Sequence, residues 1–135
     1  GYLSGAQSRA AYLSARLPEY AAFQYINGHS EASAKIYLLF IGRRAYYCDR
    51  DYFHDGGELP GYLLAAIQTA QSADDIARAL ARRQITHLMI REDLLGEFLG
   101  HNLTADQLAL WNQFALSRLQ LEFRDRGHSV YRLHG

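Results

Sequence analysis

The sequence is poor in several things, and each shortage excludes a class. It has one cysteine, Cys48, so it holds no internal disulfide and no cysteine-based zinc cage. It has no charge excess: Lys+Arg and Asp+Glu both number 14. That argues against a nucleic-acid partner held by bulk charge. No run approaches the roughly 18 apolar residues of a membrane span. The longest apolar block, 36–41, is strand-sized. No stretch of these residues reads as a signal peptide. The only methionine is Met89 and the chain begins at Gly1, so the expectation is a soluble piece of a larger protein. What remains is an ordinary globular composition, 49% hydrophobic and 21% charged over 135 residues, enough for a single domain with a real core.

Periodicity supplies the architecture. Leu3, Ala6, Ala10, Leu13 and Leu17 share one helical face, which makes residues 1–17 a helical arm ahead of a domain spanning 18–135. A second helix starts near Pro18, carries Glu19 in its first turn and stops at Asn27-Gly28. Residues 35–41 read as a strand apolar on both faces, hence central. A tight turn at Gly42-Arg43-Arg44 leads to a second short strand at 45–48. Helices follow over 59–71 and from Ser72 to Arg83, the latter with a cap pattern ending at Asp75. Residues 85–90 form a third strand and 92–100 a short helix. Thr104 to Gln107 opens another helix with a capping box. Two alternating runs, 121–124 and 129–133, joined by Asp125-Arg-Gly-His128, predict a hairpin. The order of elements predicts one layered α/β domain: a small, mostly parallel sheet flanked by helices, with a C-terminal antiparallel β-hairpin.

The search for chemistry begins with Asp49-Arg-Asp51. Alternate residues of an extended chain point the same way, so both carboxylates can face one cation. Haloacid-dehalogenase-like phosphatases carry Asp-x-Asp after a hydrophobic strand, but they want Thr or Val where Phe53 stands. They also want a downstream lysine, and Lys35 is the only one. The plainer reading is a solvated strand end balanced by Arg43, Arg44 and Arg50. Six histidines form no metal-ligand spacing, and His54 with Asp51 and Asp55 is their one local cluster. His87, in a buried strand, reads as a hydrogen-bonded core residue. No G-x-S-x-G elbow or glycine-rich phosphate loop occurs, and Cys48 reads as structural. Arginine and tyrosine are dense at Arg43, Arg44, Tyr46, Tyr47 and Tyr52, which suits a carbohydrate or lipid-phosphate surface. Packing of the tyrosines and pairing of the arginines with Asp49 and Asp51 explain the same density.

One series of motifs resembles a known family. It runs from Tyr20-Ala-Ala-Phe-Gln-Tyr-Ile-Asn27 through Gly42-Arg-Arg-Ala-Tyr-Tyr-Cys-Asp-Arg-Asp-Tyr52. It continues at Ser72-Ala-Asp-Asp-Ile and ends at Arg83-Gln-Ile-Thr-His-Leu-Met-Ile90. The series resembles the soluble C-terminal domain after the last membrane span of polytopic glycosyltransferases. Their family depends on polyprenyl-phosphate sugars and includes protein mannosyltransferases and aminoarabinose transferases. The resemblance covers about residues 18–95. It implies an extracytoplasmic, periplasmic location, tethered by the parent's membrane spans, with the transmembrane part of the parent chain as partner. It also implies that catalysis lies elsewhere, since the family's acidic catalytic residue belongs to an early loop between spans. No catalytic residue, metal or cofactor is therefore assigned here. Arg43, Arg44, Tyr46, Tyr47, Asp49, Asp51 and Tyr52 are the surface to test for glycan, lipid-linked acceptor or parent contact. Two other functions compete: a metal-dependent phosphotransfer domain using Asp49 and Asp51, and an interaction module docking through the arm at 4–17.

Overall fold

The computed structural model describes residues 18–41, 47–55 and 59–134. The expected arm at 1–17, together with Arg43, Arg44 and Tyr46, lies outside the described residues. The elements, in chain order, are α1 (Tyr20–His29), β1 (Lys35–Leu39), β2 (Asp51–Phe53), α2 (Gly61–Thr69), α3 (Ala73–Arg82), β3 (His87–Arg91), α4 (Glu92–Asn102), α5 (Ala105–Arg118), β4 (Leu119–Asp125) and β5 (His128–Leu133). They form one sheet in the order β2-β1-β3-β5-β4. β1 pairs in parallel with both β2 and β3, and β5 pairs antiparallel with both β3 and β4. The expected α/β layering is therefore present, with the hairpin supplying the antiparallel edge.

β1 is buried on both sides, as its unbroken apolar run requires. Ile36 and Leu38 face α1, packing with Ala22, Phe23, Ile26, Met89 and Val130. Tyr37 and Leu39 face the larger core, where Leu63, Ile67, Ile76, Leu80, Leu88 and Phe114 meet. The layers are thus α1, the sheet, and then the four remaining helices. Phe23 and Phe114 are fully buried, and each such side chain contributes about 2–3 kcal/mol by removal from water.

Local signals close the elements. Thr104 Oγ1 accepts from the Gln107 amide at 3.2 Å, and Gln107 Oε1 accepts from the Thr104 amide at 2.9 Å, completing the predicted box at α5. At α3 the Ser72 side chain makes no cap bond. Asp75 reaches back instead and accepts from the Gln71 amide at 2.9 Å. The hairpin turn is Arg126-Gly127, with φ of 50° and 79°. Two successive left-handed residues twist the turn to match the strands.

The second strand departs from expectation. It is Asp51–Phe53; of the expected strand at 45–48, residues 45 and 46 lie outside the described residues, and Tyr47 and Cys48 lie outside any strand. The physical reason is the parallel pairing. A parallel partner must start from the same end of the sheet as β1, so the chain has to return there before Asp51 can pair with Lys35. Residues Tyr47 and Cys48 belong to that return path and pack against the α1 layer.

Candidate functional site

Within the β1–β2 connection, Arg50 is the organising residue. Its Nε donates to the Glu31 carbonyl at 2.9 Å. Its terminal nitrogen donates to the carbonyls of Asn27 at 3.0 Å and Ser30 at 2.9 Å. These carbonyls lie at the C-terminal end of α1, where backbone acceptors lack helical donors and the dipole favours a cation. So Arg50 closes α1; it does not balance Asp49 and Asp51. Asn27 completes the junction. Its Nδ2 donates to the Tyr47 carbonyl and its Oδ1 accepts from the Asp49 amide, both at 2.8 Å.

The expected site residues separate into two sets on this frame. Tyr47 turns inward, with its ring edge-on to Tyr20 at 5.1 Å. Asp49, Asp51 and Tyr52 are exposed. Asp51 Oδ1 accepts from the Tyr52 amide at 2.9 Å, and the Tyr52 ring stacks on His54 at 5.9 Å. Tyr52 is 39% exposed, which leaves an aromatic surface beside two carboxylates. Among the described residues, no group of three or more His, Cys, Asp or Glu side chains is arranged to hold a metal ion. Cys48 is half-buried. Burial pushes its thiol above the ordinary value, and its Sγ donates to the Arg50 carbonyl at 3.4 Å.

Next along the chain stands a residue the sequence did not single out for its true role. Asp55 Oδ1 accepts from the Tyr62 amide at 2.7 Å, at the start of α2. Its Oδ2 accepts from the Tyr37 hydroxyl at 2.7 Å. That hydroxyl in turn accepts from the Leu63 amide at 3.1 Å. Burial first, then the hydrogen bond and charge of Asp55, push the Tyr37 phenol far above its ordinary range. Phe53 and Tyr62 stand edge-to-face at 5.5 Å. The Arg83 guanidinium lies over both rings, 5.4 Å from Phe53 and 5.0 Å from Tyr62.

On the α1 face a second polar group appears. His87 is only 5% exposed. Its Nδ1 lies 2.7 Å from Thr86 Oγ1, which bears out the bonded core histidine in half. Nε2 has no hydrogen-bond partner and faces Glu122 Oε1 at 3.6 Å. Glu122 Oε2 is held by Arg132 Nε at 3.2 Å. A bulge in β4 makes this possible: Leu121 pairs with Tyr131 and Phe123 with Val130, so Glu122 is the extra residue. Bulges re-aim side chains, and this one brings Glu122 against β3 and β5. Sequence alternation carried no sign of it.

Opposite, at the start of α4, Tyr131 donates to Glu92 Oε1 at 2.6 Å, and Arg124 reaches the same oxygen at 3.4 Å. This cluster rims an apolar cleft of about 170 Å³ that includes Leu95, Leu99 and Trp111.

Comparison with known proteins adds the fold. No family model and no curated protein matches the sequence. Among solved structures, the chain is similar to the C-terminal globular domain of an oligosaccharyltransferase from Archaeoglobus fulgidus. The TM-score is 0.55 at 10% identity, covering 84% of this chain and 95% of that one. At that identity the likeness is one of fold. Among the described residues, no helix is long and apolar enough to cross a membrane.

Proposed function

We propose that this chain is a non-catalytic, extracytoplasmic accessory domain of an integral-membrane glycosyltransferase. The observation carrying the reading is the shared fold over nearly the whole of a domain taken from an oligosaccharyltransferase. It agrees with the motif series across residues 18–95, which points to the same kind of parent. The domain is tethered through the parent's membrane spans on the extracytoplasmic side, and the transmembrane part of that parent is its standing partner. Its role is to shape the acceptor side of the enzyme, with no nucleic acid involved.

The contact surface we propose comprises residues before β2, Arg43, Arg44, Tyr46, Tyr47 and Asp49, with Asp51 and Tyr52 of β2 itself. Exposed Tyr52, beside Asp49 and Asp51, supports direct contact with a sugar, because aromatic faces stack on apolar ring surfaces while carboxylates accept from hydroxyls. Tyr47 serves it from behind by locking the connection to α1. Titration with glycans and with lipid-phosphate head groups is expected to move the Tyr52 ring resonances and the Asp51 amide. Tyr52→Ala should abolish the response while leaving the core resonances in place. Unchanged tyrosine signals at millimolar ligand would sink direct binding.

A further inference from the structure

His87 is the buried group that the proposed function leaves unused, and the inference from it stands independently of that function. Nε2 is covered completely. Glu122 and Arg132 lie over it, with side chains 16% and 47% exposed. His87 and Arg132 also line a common cleft, and a proton reaches Nε2 after only a brief opening. The groups facing the ring come from every element around it: Glu122 on β4, Arg132 on β5 and Glu31 in the α1–β1 connection. Tyr25 on α1 faces the same Glu122 and Arg132. Burial raises its phenol, so it stays neutral throughout. Thr86, uncharged, takes up Nδ1.

In this arrangement one carboxylate lies between a guanidinium and a neutral imidazole. Oε2 is engaged with Arg132, while Oε1 stops 3.6 Å from Nε2. That gap is too long for a hydrogen bond and short enough to close by side-chain rotation. We propose that Glu122 is a proton-operated latch. With His87 neutral, it holds Arg132; when Nε2 takes a proton, it moves onto the imidazolium and releases the guanidinium. Arg132, already half-exposed, lines a cleft of about 170 Å³ together with Glu31, Ser33, Thr86 and His87 itself, so acid frees from its carboxylate a cation that stands on this face of the domain.

Burial is the largest influence on His87 and lowers its pKa below the ordinary 6.5; Glu122 opposes that shift and Arg132 adds to it. Below pH 6.5 the unfolded chain therefore binds the proton more readily than the folded one. Stability is fully present when His87 is neutral and falls as pH drops from 6.5 toward the folded value.

The test is nitrogen-15 NMR of the histidine rings, read with the Arg132 Nε–H and the Glu122 carboxyl signals, across a pH titration. His87 is expected to titrate below 6.5, with Arg132 and Glu122 shifting at the same midpoint. Glu122→Gln should lower that midpoint and Arg132→Gln should raise it. Flat Arg132 and Glu122 signals through the His87 titration would overturn the latch. So would a His87 midpoint indifferent to Glu122→Gln. If either variant failed to fold, co-titration in the unaltered chain would decide alone.

Discussion

Replacing Arg50 with Met is expected to lower stability by about 2–3 kcal/mol. Three carbonyls at and just beyond the end of α1, those of Asn27, Ser30 and Glu31, accept from this one guanidinium, and Glu31 also accepts from the Ala34 amide. Hydrogen bonds to charged groups contribute roughly 1.5–3 kcal/mol each when well formed. The side chain is only half-buried, so water replaces part of what is lost, and the sum falls well short of three full bonds. Met keeps the aliphatic stem and removes only the donors, which isolates their contribution. Arg50→Lys should recover a minor part, because a point-like ammonium cannot span three acceptors as a planar fork does. Chemical denaturation checks the magnitude. A second readout follows from the geometry: freed of Arg50, the connection loses its register on Asn27. The amides of Asp49 and Tyr52 should then broaden or shift while those of β3 and β5 stay in place. No change in stability would mean that α1 is closed by water and that Arg50 is incidental.

Asp55→Ala is the other large effect, expected at about 3 kcal/mol. Losing an N-terminal helix cap costs roughly 1 kcal/mol. Leaving a buried hydroxyl without its acceptor costs about 1–3 kcal/mol more. Both apply here, since one carboxylate receives the Tyr62 amide and the Tyr37 hydroxyl, and Tyr37 is fully buried. Tyr37→Phe alone strips the Leu63 amide of its acceptor and Asp55 of one donor. The double variant should be less destabilised than the sum of the two singles by about 1 kcal/mol, as neighbours in one network are. Additive effects would show that the two residues act separately.

These two residues also show what the sequence disclosed and what it withheld. Elements set by local chemistry were legible. The Thr104–Gln107 box opened a helix as expected, and the Asp125–His128 turn made the hairpin. The doubly apolar run after Lys35 became the strand with partners on both sides. Features set by distant pairing were hidden. Tyr47 and Cys48 have strand composition, yet Asp51–Phe53 is the strand, because register with Lys35 decides it. Asp55 caps a helix that begins six residues later, at Gly61, so no cap spacing announced it. Glu122 looked like the outward member of an alternating strand until the bulge turned it toward His87. For the proposed contact surface, the run from Asp49 to Tyr52 stood out by its residue types alone. Arg50, at its centre, was mistaken for a counter-charge, since backbone acceptors leave no trace in sequence.

The stretch 47–50 leads directly into β2, which carries Asp51 and Tyr52. Arg50 and Asn27 tie it to α1, and Asp55 ties the chain that follows to β1 and α2. The proposed accessory role asks for such a frame, since backbone held in place by several elements loses little freedom on contact. One measurement tests this account most directly: the coding sequence upstream of Gly1. The account predicts several apolar segments, each of about 20 residues and able to span a membrane, in frame with this domain. An acidic residue should lie in the first loop between them. A start codon immediately before Gly1, with no span in the reading frame, would contradict it.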